Sequence, residues 1–136
     1  MKPRVRVFGP DARVGRRVDE RIARGAWAEE RAARELVRRG YSIVERNFRC
    51  TVGELDIIAR HGRDLVFVEV RSRRAGTTGT GIDAIGYAKR RRVANVARMY
   101  LAMKRPNFHG CRFDVVGITG DDIIVIADAW RLGDGS

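Results

Sequence analysis

The sequence predicts a single α/β domain, a mixed β-sheet flanked by helices in the order helix, three strands, helix, two strands. Three observations predict it. Apolar residues recur at helical spacing over 26–39 and again over 87–104. Five short β-prone runs lie at 41–48, 54–60, 64–72, 111–118 and 123–127. No internal repeat interrupts the 136 residues, a length with room for one proper core.

Residues 1–24 carry eight basic side chains against Asp11, Asp19 and Glu20, and Gly9-Pro10 breaks any early element. Val14, Val18 and Ile22 suit a helix over about 12–24, and a flexible basic arm is the alternative. Either way this stretch reads as an extension to a domain spanning 25–130. In the first helix, 26–39, Ala28, Ala32 and Leu36 with Ala33 and Val37 form an apolar stripe. Gly25 precedes this helix and Gly40 stops it. Glu29 and Glu30 would lie in its first turn, where the helix dipole favours anions. A strand over 41–48 follows, with Arg46 and Arg49 near its end.

The next two strands form a hairpin around which the chain is organised. Leu55 and Ile57 alternate with Glu54 and Asp56, and Leu65, Phe67, Glu69 and Arg71 alternate with Val66, Val68 and Val70. Residues 66–70 are apolar except for Glu69, and a carboxylate inside so apolar a strand is costly unless paired or bound to a metal. A two-residue His61-Gly62 loop would pair Arg60 with Arg63, facing Glu54 to Glu69 and Asp56 to Phe67. Glu54, Asp56, Glu69 and Arg71 would then share one side of the sheet. Crowded carboxylates repel, and all-oxygen ligation of Mg²⁺ or Mn²⁺ would relieve that repulsion. The alternative is a solvated face with Arg71 neutralising Glu69.

Residues 73–81 read as a basic loop in which Arg73, Arg74 and three glycines suit a phosphate, although no Gly-Lys-Ser/Thr makes it a P-loop. In the second helix, 87–104, Val93, Val96, Ala97, Tyr100 and Leu101 form the core stripe, and Pro106 ends it. Lys89, Arg90, Arg91 and Arg92 crowd its N-terminus, where cations oppose the dipole and a bound anion would offset the cost. The strand at 111–118 and, after Gly120-Asp121-Asp122, the strand at 123–127 complete the sheet. Residues 131–136 look like a tail.

The net charge is +11, which argues for a polyanionic partner, most often nucleic acid. Of the 28 basic residues 25 are Arg, a skew that genome composition can produce, so distribution is the better guide. Residues 84–113 contain eight basic residues and no acidic one, which phosphate contacts explain better than the alternative of a solvated helix face. No apolar run reaches membrane-spanning length and the N-terminus lacks a signal-peptide core, so a cytoplasmic location is expected. Cys50 and Cys111 are too few for a disulfide scaffold, and His61 and His109 have no ligand-spaced partner that would suggest zinc.

Several stretches together resemble one family. They are 25–29 (Gly-Ala-Trp-Ala-Glu), 39–41 (Arg-Gly-Tyr), 46–50 (Arg-Asn-Phe-Arg-Cys), 53–59 (Gly-Glu-Leu-Asp-Ile-Ile-Ala), 66–70 (Val-Phe-Val-Glu-Val), 89–93 (Lys-Arg-Arg-Arg-Val) and 111–116 (Cys-Arg-Phe-Asp-Val-Val). In this order the chain is similar to the YraN-type family (UPF0102), small bacterial proteins with a restriction-endonuclease-like fold. Residues 1–24 have no counterpart in that resemblance.

The resemblance implies an αβββαβ nuclease core in which Asp56 and Glu69, with the Val70 carbonyl, hold Mg²⁺ or Mn²⁺. It implies a helical Glu29 near the metal and Glu54 behind it, and places Asp114 at a family position read first as structural. The superfamily's Glu-x-Lys lysine is Arg71 here, and an arginine cannot act as a general base. Either Arg71 substitutes electrostatically, or Lys89 supplies an amine from the second helix, or catalysis is lost. Residues 73, 74 and 89–92 would contact nucleic acid, most simply DNA. The expected activity is metal-dependent hydrolysis of DNA phosphodiester bonds, with branched or damaged DNA as substrate. The alternatives are a non-cleaving nucleic-acid-binding module and an assembly or adaptor protein, and a homo-oligomer is compatible with each.

Overall fold

A computed structural model describes residues 12–74 and 86–131, with side chains from Gly25 onward. The elements follow the expected order: α1 Ala12–Arg38, β1 Ser42–Cys50, β2 Gly53–His61, β3 Asp64–Arg73, α2 Tyr87–Lys104, β4 Gly110–Thr119 and β5 Asp122–Arg131. Most of the 73–81 loop, the extreme N-terminus and residues 132–136 lie outside the described residues.

The five strands form one sheet in the order β1-β2-β3-β4-β5. All neighbours are antiparallel except β3 and β4, whose parallel register runs from Asp64 opposite Gly110 to Arg73 opposite Thr119. Parallel neighbours need a crossover, and α2 supplies it. The two helices cover opposite faces. Val93, Val96, Ala97 and Tyr100 of α2 pack with Phe48, Leu55, Ile58, Leu65, Phe67, Phe113 and Trp130. Ala28, Ala32, Ala33 and Leu36 of α1 pack with Tyr41, Ile57, Val66, Val68, Val116 and Ile118. β3 is therefore apolar on both sides because both sides are covered. Among the described residues no helix is long and apolar enough to cross a membrane.

Three expectations change. The helix expected over 26–39 is the second half of a longer one that runs through Gly25. Glu29 and Glu30 therefore sit inside a helix, and the dipole no longer explains them. Val37 leaves the predicted stripe and is 56% exposed. The stop is as expected: Gly40 adopts φ +94°, and Tyr41 N–H returns to the Leu36 carbonyl. The last strand is longer than its apolar run, ending at Arg131. An irregular register between Phe113 and Val115 and a left-handed Asp128 (φ +56°) let Trp130 stack on Phe113 at 4.9 Å.

Candidate active site

The hairpin closes differently from the expected loop. His61 pairs with Asp64, so Gly62 (φ +61°) and Arg63 form the turn. The change amounts to two residues, which by itself keeps the parity of the pairing but changes the partners. Its cause is tertiary. His61 stacks on Tyr41 at 4.1 Å, and its Nδ1 lies 2.7 Å from Arg112 Nη2. Asp64 pairs with Arg112 at 3.3 Å. Both loop-flanking residues are thus tied to a buried cluster that local sequence does not reveal.

With this register the ladder's last pair is Ile57 with Val68, so the next positions, Asp56 and Glu69, meet where β2 and β3 part. Beyond it Val70 N–H donates to Asp56 Oδ2 at 2.9 Å. Glu54, Asp56, Glu69 and Arg71 do not share one side as expected. Leu55 lies in the α2-side core and Ile57 in the α1-side core, so alternation breaks at Asp56. Asp56 lines a cavity of about 590 Å³ with Glu29 of α1, Arg46, Arg49, Glu54, Val70 and Ser72. Glu69 is turned towards α2 and is only 7% exposed, with Lys89 Nζ 2.9 Å from its Oε1.

The electrostatics follow from this placement. Burial, then the charge of Glu69, pushes the Asp56 carboxyl up to about 7, against the opposing Val70 N–H. Glu29 and Glu30 are both bridged by Arg46, at 3.3 and 2.8 Å. Glu54 pairs with Arg49 at 3.1 Å. Gly53, at φ +145°, brings β2 close under α2: a Cβ there would sit 3.0 Å from Val96 Cγ2.

The structure gathers Glu29, Asp56, Glu54 and Val70 around one cavity and joins Glu69 to Lys89 on the α2 side. It leaves others apart. Arg73 and Arg74 line a neighbouring cavity of about 500 Å³. Arg71, half-buried, pairs with Gly117 of β4 in the sheet. At the start of α2, Arg91 and Arg92 are exposed, and the buried Arg90 Nε has no hydrogen-bond partner among the described residues. Sequence reading missed the roles of Arg46, Arg49 and Ser72. Arg46 and Arg49 were legible only as cations near a strand end, and nothing local marked Ser72.

The donors present suit a hard divalent cation, since Asp56, Glu69 and the Val70 carbonyl offer only oxygen. Among the described residues no three His, Cys, Asp or Glu side chains gather into a metal cluster. Mg²⁺ is a cation that keeps several waters and takes one or two carboxylates together with substrate phosphates.

The raised Asp56 pKa has a stability consequence. Between about pH 4 and 7 the folded protein holds a proton that the unfolded chain has released. Stability therefore falls as pH rises through that window and stays lower above it. Asp56→Asn should remove the fall and stabilise the protein at pH 8 by on the order of 2 kcal/mol. Urea unfolding of both proteins at pH 5 and 8 measures this; equal pH dependence would mean that Asp56 is ionised at no cost.

Comparison with known proteins places the chain among small proteins of one kind. Residues 28–118 match the family described as "Uncharacterised protein family UPF0102". A UPF0102 protein of Syntrophotalea carbinolica is 46% identical over 99 residues, covering 73% of this chain and 80% of that protein. One from Syntrophus aciditrophicus is 41% identical over 123 residues, covering 88% and 97%. One from Dechloromonas aromatica is 46% identical over 116 residues, covering 85% and 95%.

Proposed function

The chain belongs to the UPF0102 family, and from that premise we propose that it is a metal-dependent endonuclease hydrolysing DNA phosphodiester bonds on a restriction-endonuclease-like fold. One observation carries the reading: Asp56 and Glu69 meet where β2 and β3 part, beside a cavity lined by Glu29, Arg46 and Arg49. Val70 N–H fixes the Asp56 carboxylate, and Lys89 fixes that of Glu69. Bound Mg²⁺ or Mn²⁺ would supply Lewis acidity towards a phosphate oxygen and a water of lowered pKa. Arg46 and Arg49, paired with Glu29, Glu30 and Glu54, are the cations of the cavity wall that a phosphate backbone would draw from those carboxylates. Arg71 stays protonated, so it can stabilise negative charge but cannot remove a proton. Lys89, an amine held against Glu69, is the group positioned for proton transfer once a substrate loosens that pair. Branched or damaged DNA is the proposed substrate class.

The test is cleavage of linear, supercoiled, single-stranded and four-way-junction DNA in Mg²⁺, Mn²⁺ or EDTA. Cutting that EDTA abolishes supports the proposal, and the preferred substrate names its class. Binding without cutting would instead identify a non-cleaving nucleic-acid module, a reading favoured by Arg71 at the position where the resemblance implies lysine.

The exposed arginines at the start of α2 give a further expectation. Each phosphate contact contributes about 0.9 to the slope of log affinity against log salt. Replacing Arg91 and Arg92 together by Ala should weaken duplex binding and flatten that slope by about 2 if both touch phosphates. Fluorescence anisotropy across a salt series reads both quantities, and an unchanged slope would remove this helix end from the interface.

A further inference from the structure

We propose that Trp27 is a stacking platform for an unpaired nucleobase, with Arg73 and Arg74 holding the flanking phosphates, so that the strand is single-stranded as it reaches the candidate active site. The proposal rests on the nucleic-acid reading above and adds which form of nucleic acid the site takes.

The chain has two tryptophans, and they contrast sharply. Trp130 is 6% exposed and stacked on Phe113, whereas Trp27 is 52% exposed on α1, two residues before Glu29. A lone exposed aromatic is ordinary by itself. This one is held. The Arg31 guanidinium sits 5.3 Å from the centre of the indole ring. Arg31 is in turn anchored by donating hydrogen bonds to the carbonyls of Gly120, at 3.0 Å, and Asp121. The indole is therefore fixed beside a cation while half of its surface stays in water, so stacking would cost little ordering entropy.

The surroundings specify the guest. Trp27 lines the cavity of about 500 Å³ with Gly25, Ser72, Arg73, Arg74 and Asp121, a volume within the usual range for small-molecule sites. Gly25 and Ser72 also line the cavity holding Asp56 and Glu29, so the two cavities are neighbours that share these two wall residues. Two arginines beside a flat aromatic suit a chain of alternating phosphates and π-faces, which is single-stranded nucleic acid. In a paired duplex the base faces are already stacked and unavailable. An unpaired nucleotide next to the scissile phosphate occurs at flaps, frayed junctions and damaged sites.

The experiment is a titration read by intrinsic fluorescence and by anisotropy of labelled DNA, in EDTA so that no strand is cut. The probes are oligothymidylate, an abasic oligonucleotide of equal length, and a blunt duplex. Oligothymidylate should quench Trp27, while the abasic strand binds through charge without quenching and the duplex quenches little. Trp27→Ala should weaken oligothymidylate binding about tenfold and leave abasic binding unchanged, and Trp27→Phe should keep most of the affinity. Unaltered emission from buried Trp130 verifies that the variants are folded. Equal quenching by the abasic strand, or wild-type oligothymidylate affinity in Trp27→Ala, would overturn the proposal. Because no metal is present, that outcome leaves metal-dependent cutting to be judged separately, and stacking without cutting would count against the nuclease reading alone.

Discussion

Glu69→Ala should lower metal-dependent DNA cleavage by roughly a hundredfold to a thousandfold, the usual loss when one preorganised group at a reacting centre is removed. The fold should survive. Glu69 is buried, but its partner Lys89 keeps a side chain 35% exposed and can turn to water when the carboxylate is gone. The variant therefore separates chemistry from stability. Calorimetry with Mn²⁺ should show binding to the wild type that the variant lacks, and circular dichroism should show the two equally folded. Cleavage at the wild-type rate would remove Glu69 from the site. Arg71→Lys refines the outcome. A rise in rate would mean that an amine on β3 is wanted and Lys89 does not replace it. A fall would mean that the guanidinium itself works on the transition state.

Asp114→Ala should destabilise the protein by about 3–5 kcal/mol, the range for breaking a buried charge pair from one side. Asp114 is 0% exposed. Its Oδ2 accepts from Tyr41 Oη at 2.5 Å, and its Oδ1 accepts from Arg112 Nε at 3.0 Å and from Asp128 N–H at 2.8 Å. Removing the carboxylate strands the Arg112 charge beside Asp64 alone and leaves the Asp128 amide without its acceptor. Burial lowers the Arg112 pKa, but the hydrogen bond and charge of Asp114, with Tyr41, outweigh it and hold the guanidinium ionised. Tyr41 is pushed up to about 12 by burial and by Asp114. From pH 10 to 12 the folded protein thus keeps a proton that the unfolded chain loses, and stability falls as pH rises through that window. Urea unfolding measures both effects. A change under about 1 kcal/mol in Asp114→Ala would mean that the network is solvated rather than buried.

Much of this fold was legible because its signals are local. The α2 stripe, Gly40 as a helix stop and the doubly apolar β3 depend on spacing, backbone freedom and β-propensity within a few residues. Asp56 and Glu69 stood out for the same reason, as carboxylates in apolar strands. The hairpin register was not legible, since His61-Gly62 suits a tight turn as well as Gly62-Arg63 does. Stacking of His61 on Tyr41 and the Asp64–Arg112 pair chose between them, and both reach across the sheet. That choice paired Phe67 with Ile58 in place of Asp56 and left Asp56 and Glu69 just beyond the last ladder pair, close enough for the charge of Glu69 to act on Asp56.

The same division holds for the candidate site. Sequence by itself determined the element order, the two strands that carry the acids and the basic balance that favours a polyanion, because periodicity and charge are properties of the chain. Only the tertiary structure decided that alternation breaks at Asp56, that Lys89 crosses from α2 to Glu69, and that Arg46 of β1 ties down Glu29 and Glu30 of α1. Those contacts join residues 16 to 20 positions apart through space. They arise from how two helices and a twisted sheet pack, which no pattern of neighbours along the chain encodes.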